Sequence, residues 1–329
     1  VEILSVKNYT ATKTFKQVKN MAKIKLSARD VAFVGVFAAL SVVVIRVIPG
    51  FPIIGLSDSQ IKFDAAIAPI YGMILGPYLG CLAAFIGGIV LANSWFSVLT
   101  SFAPAVSALV AGLLTQKKFT SNSRSFPAWA AAAIIIGLLI LGWYATWVGQ
   151  NALLYPVLHI AALLVILVFR ERIATAFENS EETRKGWSFK PNYILLGIVV
   201  IVLAYILPKP YLSEIEIFSY LSLPLYFLGA IIILHGIFGG EEGKLNFVVA
   251  VSLASYCGII ADHMIGNLSY ISLIGIVFPP EWLPSTPALF MSILPVSVVE
   301  RLVFTAIATV FGVGLVLALR RAGLFPRKT

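Results

Sequence analysis

The stretch IKFDAAIAPIYGMILGPYLGCLAAFIGGI, Ile61 to Ile89, decides the fold. Two apolar runs are joined by Gly76-Pro77, and the first run carries Lys62 and Asp64 at its start. Proline lacks a backbone N–H and glycine accepts dihedrals closed to other residues, so the pair permits a turn with almost no connecting loop. The stretch reads as a membrane hairpin whose charged start lies at the opposite surface. On the second run, Ala83, Ala84, Gly87 and Gly88 set small residues four apart on neighbouring stripes, which lets another backbone approach closely. The hairpin is therefore expected to be buried inside a bundle.

Composition agrees. The chain has 329 residues, 59% of them hydrophobic and only 12% charged, with a mean hydropathy of +0.95, far outside the soluble globular range. The fold class is all-α, a polytopic transmembrane helical bundle. The two cysteines, Cys81 and Cys257, both sit in apolar runs, where they pack as small hydrophobes and do not frame a disulfide or metal site. A net charge of +9 would suit nucleic acid, yet nearly all the basic residues flank membrane spans, where cytoplasmic retention accounts for them. Nucleic acid is accordingly not an expected partner.

Residues 1–30 form a basic arm with Lys7, Lys13, Lys16, Lys19, Lys23, Lys25 and Arg29, expected in the cytoplasm and able to meet anionic membrane lipid through interleaved apolar residues. No cleavable signal peptide is expected, because the first apolar run starts late and continues far. Ten spans are expected, at 31–48, 62–75, 78–94, 97–115, 127–148, 151–169, 192–207, 217–238, 246–266 and 289–319. Several are shorter than the roughly 20 residues a perpendicular helix needs, so tilt, thinning or discontinuity is expected there. With the N-terminus inside, Lys117, Lys118, Arg124, Arg170, Arg172, Arg184, Lys185, Lys190, Lys244 and the tail residues Arg320, Arg321, Arg327 and Lys328 all become cytoplasmic. The prediction is a multi-pass protein of the cell membrane with both termini in the cytoplasm.

Ionisable residues are scarce in spans five to eight, which read as scaffold. They gather in the outer halves of the other spans, at Lys62, Asp64, Asp262, His263, Glu300 and Arg301, with Asn93, Trp95 and Asn267 nearby. A charge in hydrocarbon costs roughly 2.5 to 3.5 kcal/mol on insertion scales unless it is paired or faces water. Glu300 and Arg301 therefore need partners. Neighbours on a helix point about 100° apart, so each is expected to reach a different residue, Asp262 for Arg301 and Lys62 for Glu300. Bland readings stand beside these. Lys62 and Asp64 also fit a water boundary, Asp262-His263 a structural polar link, Glu300-Arg301 an interhelical salt bridge, and Asn93 and Trp95 interfacial anchors.

The hairpin resembles the second and third helices of the substrate-binding S components of energy-coupling factor transporters. CGIIADHMIGN at Cys257 to Asn267 and ILPVSVVERLVFTAIATVFGVGL at Ile293 to Leu315 resemble the last two helices of that family. GVFAAL in span one, with Gly35 and Ala39 four apart, is similar to the stripe by which S components meet the transmembrane coupling protein. The resemblance implies a six-helix core from residues 31–115 and 246–329. Residues 116–245 would then be a four-span insertion containing a polar cytoplasmic connector at 170–191.

The sequence holds no phosphate-binding loop of the Gly-x-x-x-x-Gly-Lys-Ser/Thr type and no HExxH or nucleophile elbow. The expectation is a non-enzymatic membrane subunit without cofactor that binds a small metabolite or vitamin from the outside. Its partners would be the small-molecule substrate, membrane lipid, and a transmembrane coupling protein with ATPases or another membrane complex. Arg301 and Lys62 would take anionic groups, Asp262, His263 and Asn267 hydrogen bonds, and Trp95 stacking, with Asp64, Asn93 and Glu300 bordering the site. The competing readings are an accessory or structural subunit of a larger membrane complex and a self-sufficient secondary transporter.

Overall fold

A computed structural model describes residues 27–48, 50–52, 60–61, 63–121, 124–179, 191–206, 229, 232 and 245–325. The basic arm up to residue 26, Lys62, residues 180–190 of the connector and nearly all of the eighth expected span lie outside the described residues. The described residues are helical apart from two small two-stranded hairpins and a 3-10 turn. Five helical segments among them are long and apolar enough to cross a membrane: 28–47, 95–114, 128–145, 247–272 and 280–321. The protein is a helical multi-pass membrane protein, and among the described residues helices lie at the first seven, the ninth and the tenth expected span positions.

Helix α1 covers Ala28–Val47, about 30 Å at 1.5 Å per residue, enough for the hydrocarbon core. It starts earlier than expected because Ser27 and Asp30 form a capping box, in which Ser27 Oγ accepts from the Asp30 N–H and Asp30 accepts from the Ser27 N–H. A short antiparallel pair, β1 (Phe51–Pro52) with β2 (Gln60–Ile61), then leads to the hairpin.

The hairpin is as its sequence implies. Helix α2 (Asp64–Leu75) ends one residue before α3 (Pro77–Ile89) begins, and Gly76 at φ +84° makes the turn. Every residue of α2 except Ile67 is buried. Twelve residues reach only about 18 Å, so α2 cannot cross the core alone and depends on its neighbours. Gly87 of α3 packs against Ser41 of α1, and Gly88 against Ser101.

Helices α4 (Trp95–Thr100) and α5 (Phe102–Leu114) together cross the bundle, broken at Ser101. Packing is close between α2 and α5, where a β-carbon on Gly72 would overlap the Ala108 carbonyl and one on Gly112 would lie 2.8 Å from the Gly72 carbonyl oxygen. The basic stretch after α5 pairs β3 (Lys118–Ser121) with β4 (Arg124–Pro127) in an antiparallel ladder. Helix α6 (Ala128–Ala145) follows, then α7 (Trp147–Asn151) and α8 (Val157–Phe169). The connector begins with α9 (Glu171–Glu178), whose Ile173, Ala174, Ala176 and Phe177 are buried while Glu178 pairs with Lys117 at 2.9 Å. Helix α10 covers Pro191–Ile206.

Helix α11 (Phe247–Ser272) is the hub, with most of its length buried on all sides. It packs against α2, α5, α6, α8, α9 and the last helix, and Gly258 lets its backbone meet Ser107 of α5. Helix α12 (Thr286–Arg321), entered through a 3-10 turn at Pro280–Ser285, runs 36 residues and buries one stripe, including Phe290, Leu294, Ser297, Arg301, Phe304 and Ala308. Its other face, with Val299, Val310 and Phe311 exposed, suits lipid. Cys81 and Cys257 are both free thiols.

Candidate binding site

Helical phase places the site. On α11, Asp262, His263, Gly266, Asn267 and Tyr270 recur at intervals of three and four and form one stripe. On α12, Phe290, Ile293, Ser297 and Arg301 do the same. The two stripes face each other across a cavity of about 190 Å³. Asp64 and Ala65 close it from the first turn of α2, Phe96, Ser97 and Thr100 from α4, and Tyr155 from the turn before α8. The capping box of Ser94 and Ser97 sets where α4 starts and so which of its residues turn inward.

Tyr155 organises one wall. Its hydroxyl accepts from Asn267 Nδ2 at 3.2 Å and lies 3.1 Å from His263 Nε2. Its ring is held by Trp143, stacked at 4.7 Å, and by Phe290, edge-on at 4.8 Å. His263 also stacks on His159 of α8, with centroids 5.4 Å apart and planes inclined by 17°. His263 Nδ1 and both His159 nitrogens are buried without a hydrogen-bond partner.

Arg301 dominates the electrostatics. It is 3% exposed and lines the cavity. Its Nη2 lies 3.4 Å from Glu300 Oε2, a long contact, while Nε and Nη1 have no partner. The expectation that Glu300 and Arg301 reach different partners is thus corrected: they meet each other, because their long side chains bridge the 100° between their positions. Asp262 lines the cavity and makes no ion pair with Arg301 among the described residues.

Of the residues singled out in the sequence, Asp64, Asp262, His263, Asn267 and Arg301 meet at this cavity. Glu300 stands behind Arg301 and does not line it, and Lys62 is outside the described residues. Asn93 and Trp95 do not join the cavity. Asn93 accepts from the Ser97 hydroxyl on the surface, and Trp95 is 73% exposed, which corrects its expected stacking position. The scaffold reading of span six is corrected too, since Tyr155 lines the cavity and His159 supports His263. Tyr155, Ser297, Phe96, Tyr270 and Phe290 carry no sequence signal in isolation, because single hydroxyls and aromatic rings are common in membrane helices.

Residues 25–169 match the family model described as ECF-type riboflavin transporter, S component. A protein of Methanocaldococcus jannaschii described as uncharacterized is 26% identical over 205 residues, which cover 57% of this chain and 64% of that protein. The chain thus spans less than two thirds of that relative's length. No solved structure matches the chain. The family match runs through α6 and α8 and stops before α9, so it takes in residues 116–169 and leaves out α11 and α12. Residues 25–169, which form α1 to α8, therefore carry the S-component family match to which the hairpin pointed, and that family is one of transporter subunits, not of enzymes.

Proposed function

We propose that this chain is a membrane solute-binding subunit that captures a small metabolite or vitamin from the outside and is energised by separate partners. The observation that carries this reading is Arg301, a buried guanidinium that borders the cavity with two nitrogens lacking an acceptor. A fixed structural ion pair would leave fewer donors unsatisfied, whereas a ligand site keeps them for its occupant. Arg301 takes an acidic group of the ligand, and Asp262, His263 and Asn267 supply hydrogen bonds. Phe96, Tyr270 and Phe290 replace Trp95 as the aromatic wall.

The partner assignment rests on α1, where Gly35 and Ala39 both lie on the exposed face and a β-carbon on Gly35 would meet nothing within 4 Å. That open stripe suits the packing of a coupling protein. Orientation rests on charge: Lys117, Lys118, Arg170, Arg320 and Arg321 lie at ends of α5, α8 and α12 that gather with the start of α11, with Arg320 over the rings of Phe177 and Phe247. This basic end is the cytoplasmic one by the positive-inside rule, which puts both termini in the cytoplasm and the cavity toward the exterior. The division into a core of 31–115 and 246–329 around a central region of 116–245 is kept with one change. Residues 128–169 join the site-bearing bundle, since Tyr155 borders the cavity.

The test is to purify the protein gently, identify released small molecules by mass spectrometry, and measure their binding to wild type and Arg301→Gln. Affinity should fall by roughly 2 to 5 kcal/mol, the usual loss when one partner of a buried charged contact is removed. Unchanged binding with a large drop in melting temperature would transfer Arg301 to a structural role and favour an accessory subunit.

A further inference from the structure

Besides Asp64, the cavity borders two ionisable groups of opposite sign, Arg301 and Asp262, that form no ion pair with each other. Arg301 keeps Nε and Nη1 without acceptors, and its pairing with Glu300 uses only Nη2 at 3.4 Å. Asp262, 8% exposed on the facing stripe of α11, has no hydrogen-bond or ion-pair partner among the described residues. An occupant that is only anionic would answer Arg301 while pressing a second negative charge toward Asp262. A purely cationic one would do the reverse. Only a molecule carrying both signs relieves both groups in one binding event.

Size narrows the class further. A cavity of roughly 150 Å³ admits a benzene-sized molecule, so about 190 Å³ has room for a body only somewhat larger than one aromatic ring. Phe96, Tyr270, Leu289, Phe290 and Ile293 form an apolar part of the wall that suits a single ring or a branched aliphatic group, while Ser97, Thr100 and Ser297 add hydroxyls beside it.

We infer that the solute is a compact zwitterion, with an anionic group held by Arg301, a protonated nitrogen held by Asp262, and a small apolar body against Phe96, Tyr270 and Phe290. This deepens the reading of the cavity as the solute site and rests on it. The anion reaches the acceptor-poor side of Arg301, and the nitrogen donates to the Asp262 carboxylate. His263 and Asn267, positioned by Tyr155, fix the spacing between the two charged ends. Exclusion then works by leaving a buried charge unpaired, which discriminates more sharply than the fit of an apolar pocket.

Melting temperature of the detergent-purified protein tests this with named probes: the twenty proteinogenic amino acids, riboflavin, and for phenylalanine the half-charged analogues 3-phenylpropionate and 2-phenylethylamine. At least one compact zwitterion should bind, and its amine-only and carboxylate-only analogues should bind about 30-fold more weakly or worse. Asp262→Asn should erase the preference over the carboxylate-only analogue, and Arg301→Gln the preference over the amine-only one, a reciprocal pattern that mere loss of packing does not produce. If either variant fails to fold, the wild-type ranking of the analogues still decides. Riboflavin binding that is lost in Arg301→Gln, with no zwitterion bound, would overturn the inference while leaving the cavity as the solute site. Equal binding of a zwitterion and its half-charged analogues would overturn it as well, and so would the absence of binding by every zwitterion.

Discussion

Replacing Tyr155 by Phe removes one oxygen and leaves the ring, so it isolates the hydrogen bonds from the packing. The ring keeps its stack on Trp143 and its edge contact with Phe290, so no large cavity forms. Two polar contacts go, to His263 Nε2 at 3.1 Å and from Asn267 Nδ2 at 3.2 Å. His263 already has Nδ1 without a partner, so the change leaves its whole buried ring unsatisfied. A buried polar group orphaned in this way costs roughly 1–3 kcal/mol. Asn267 is only half-buried and borders the cavity, where water can replace the tyrosine. The expected destabilisation is therefore about 2 kcal/mol, almost all from His263. Thermal unfolding in detergent measures it, and a double-mutant cycle with Asn267→Ala apportions the rest, with a coupling of about 1 kcal/mol. Ligand affinity should fall in parallel, since His263 and Asn267 lose their fixed positions. A Tyr155→Phe protein within about 0.5 kcal/mol of wild type in both stability and ligand affinity would show that the hydroxyl does not organise the wall.

Gly72→Ala drives a methyl group into the Ala108 carbonyl where α2 crosses α5, and should cost about 3 kcal/mol in unfolding measurements. Gly35→Ala, which meets open space on α1, should leave stability unchanged or raise it by up to about 1 kcal/mol through helix propensity. Enlarging Gly35 and Ala39 together to Leu should leave insertion intact and block co-purification of a membrane partner; retained co-purification would remove α1 from the interface. A single cysteine at the exposed Lys118 of the β3–β4 hairpin, in a background lacking Cys81 and Cys257, should stay unlabelled by an impermeant thiol reagent in intact cells. Labelling there would invert the topology.

Helix identity and the hairpin were legible in the sequence because both depend on neighbours along the chain. Gly76-Pro77 makes its turn from its own backbone chemistry, and an apolar run becomes a helix wherever water is absent to satisfy its amides. Asp64, Asp262, His263, Asn267 and Arg301 were legible for a related reason. Polar groups in apolar runs are costly wherever they point, so their presence marks a site before its geometry is known. Depth and rotation are another matter. Asn93 and Trp95 lie within a few residues of Phe96, Ser97 and Thr100, yet the phase set by the Ser94 capping box turns the latter three to the cavity and the former two away. Tyr155 and His159 looked like scaffold because the stretch around them has few charges. Only the packing of α8 on α11 brings the one to hydrogen-bond distance of His263 and the other into a ring stack with it. The Glu300–Arg301 contact likewise depends on side-chain reach, which helical angles alone do not include. What the sequence by itself determined is therefore which segments are apolar enough to form membrane helices and which residues are costly to place within them. Which of those residues share one cavity was decided by the tertiary structure, because depth and rotation are set between helices and not within them.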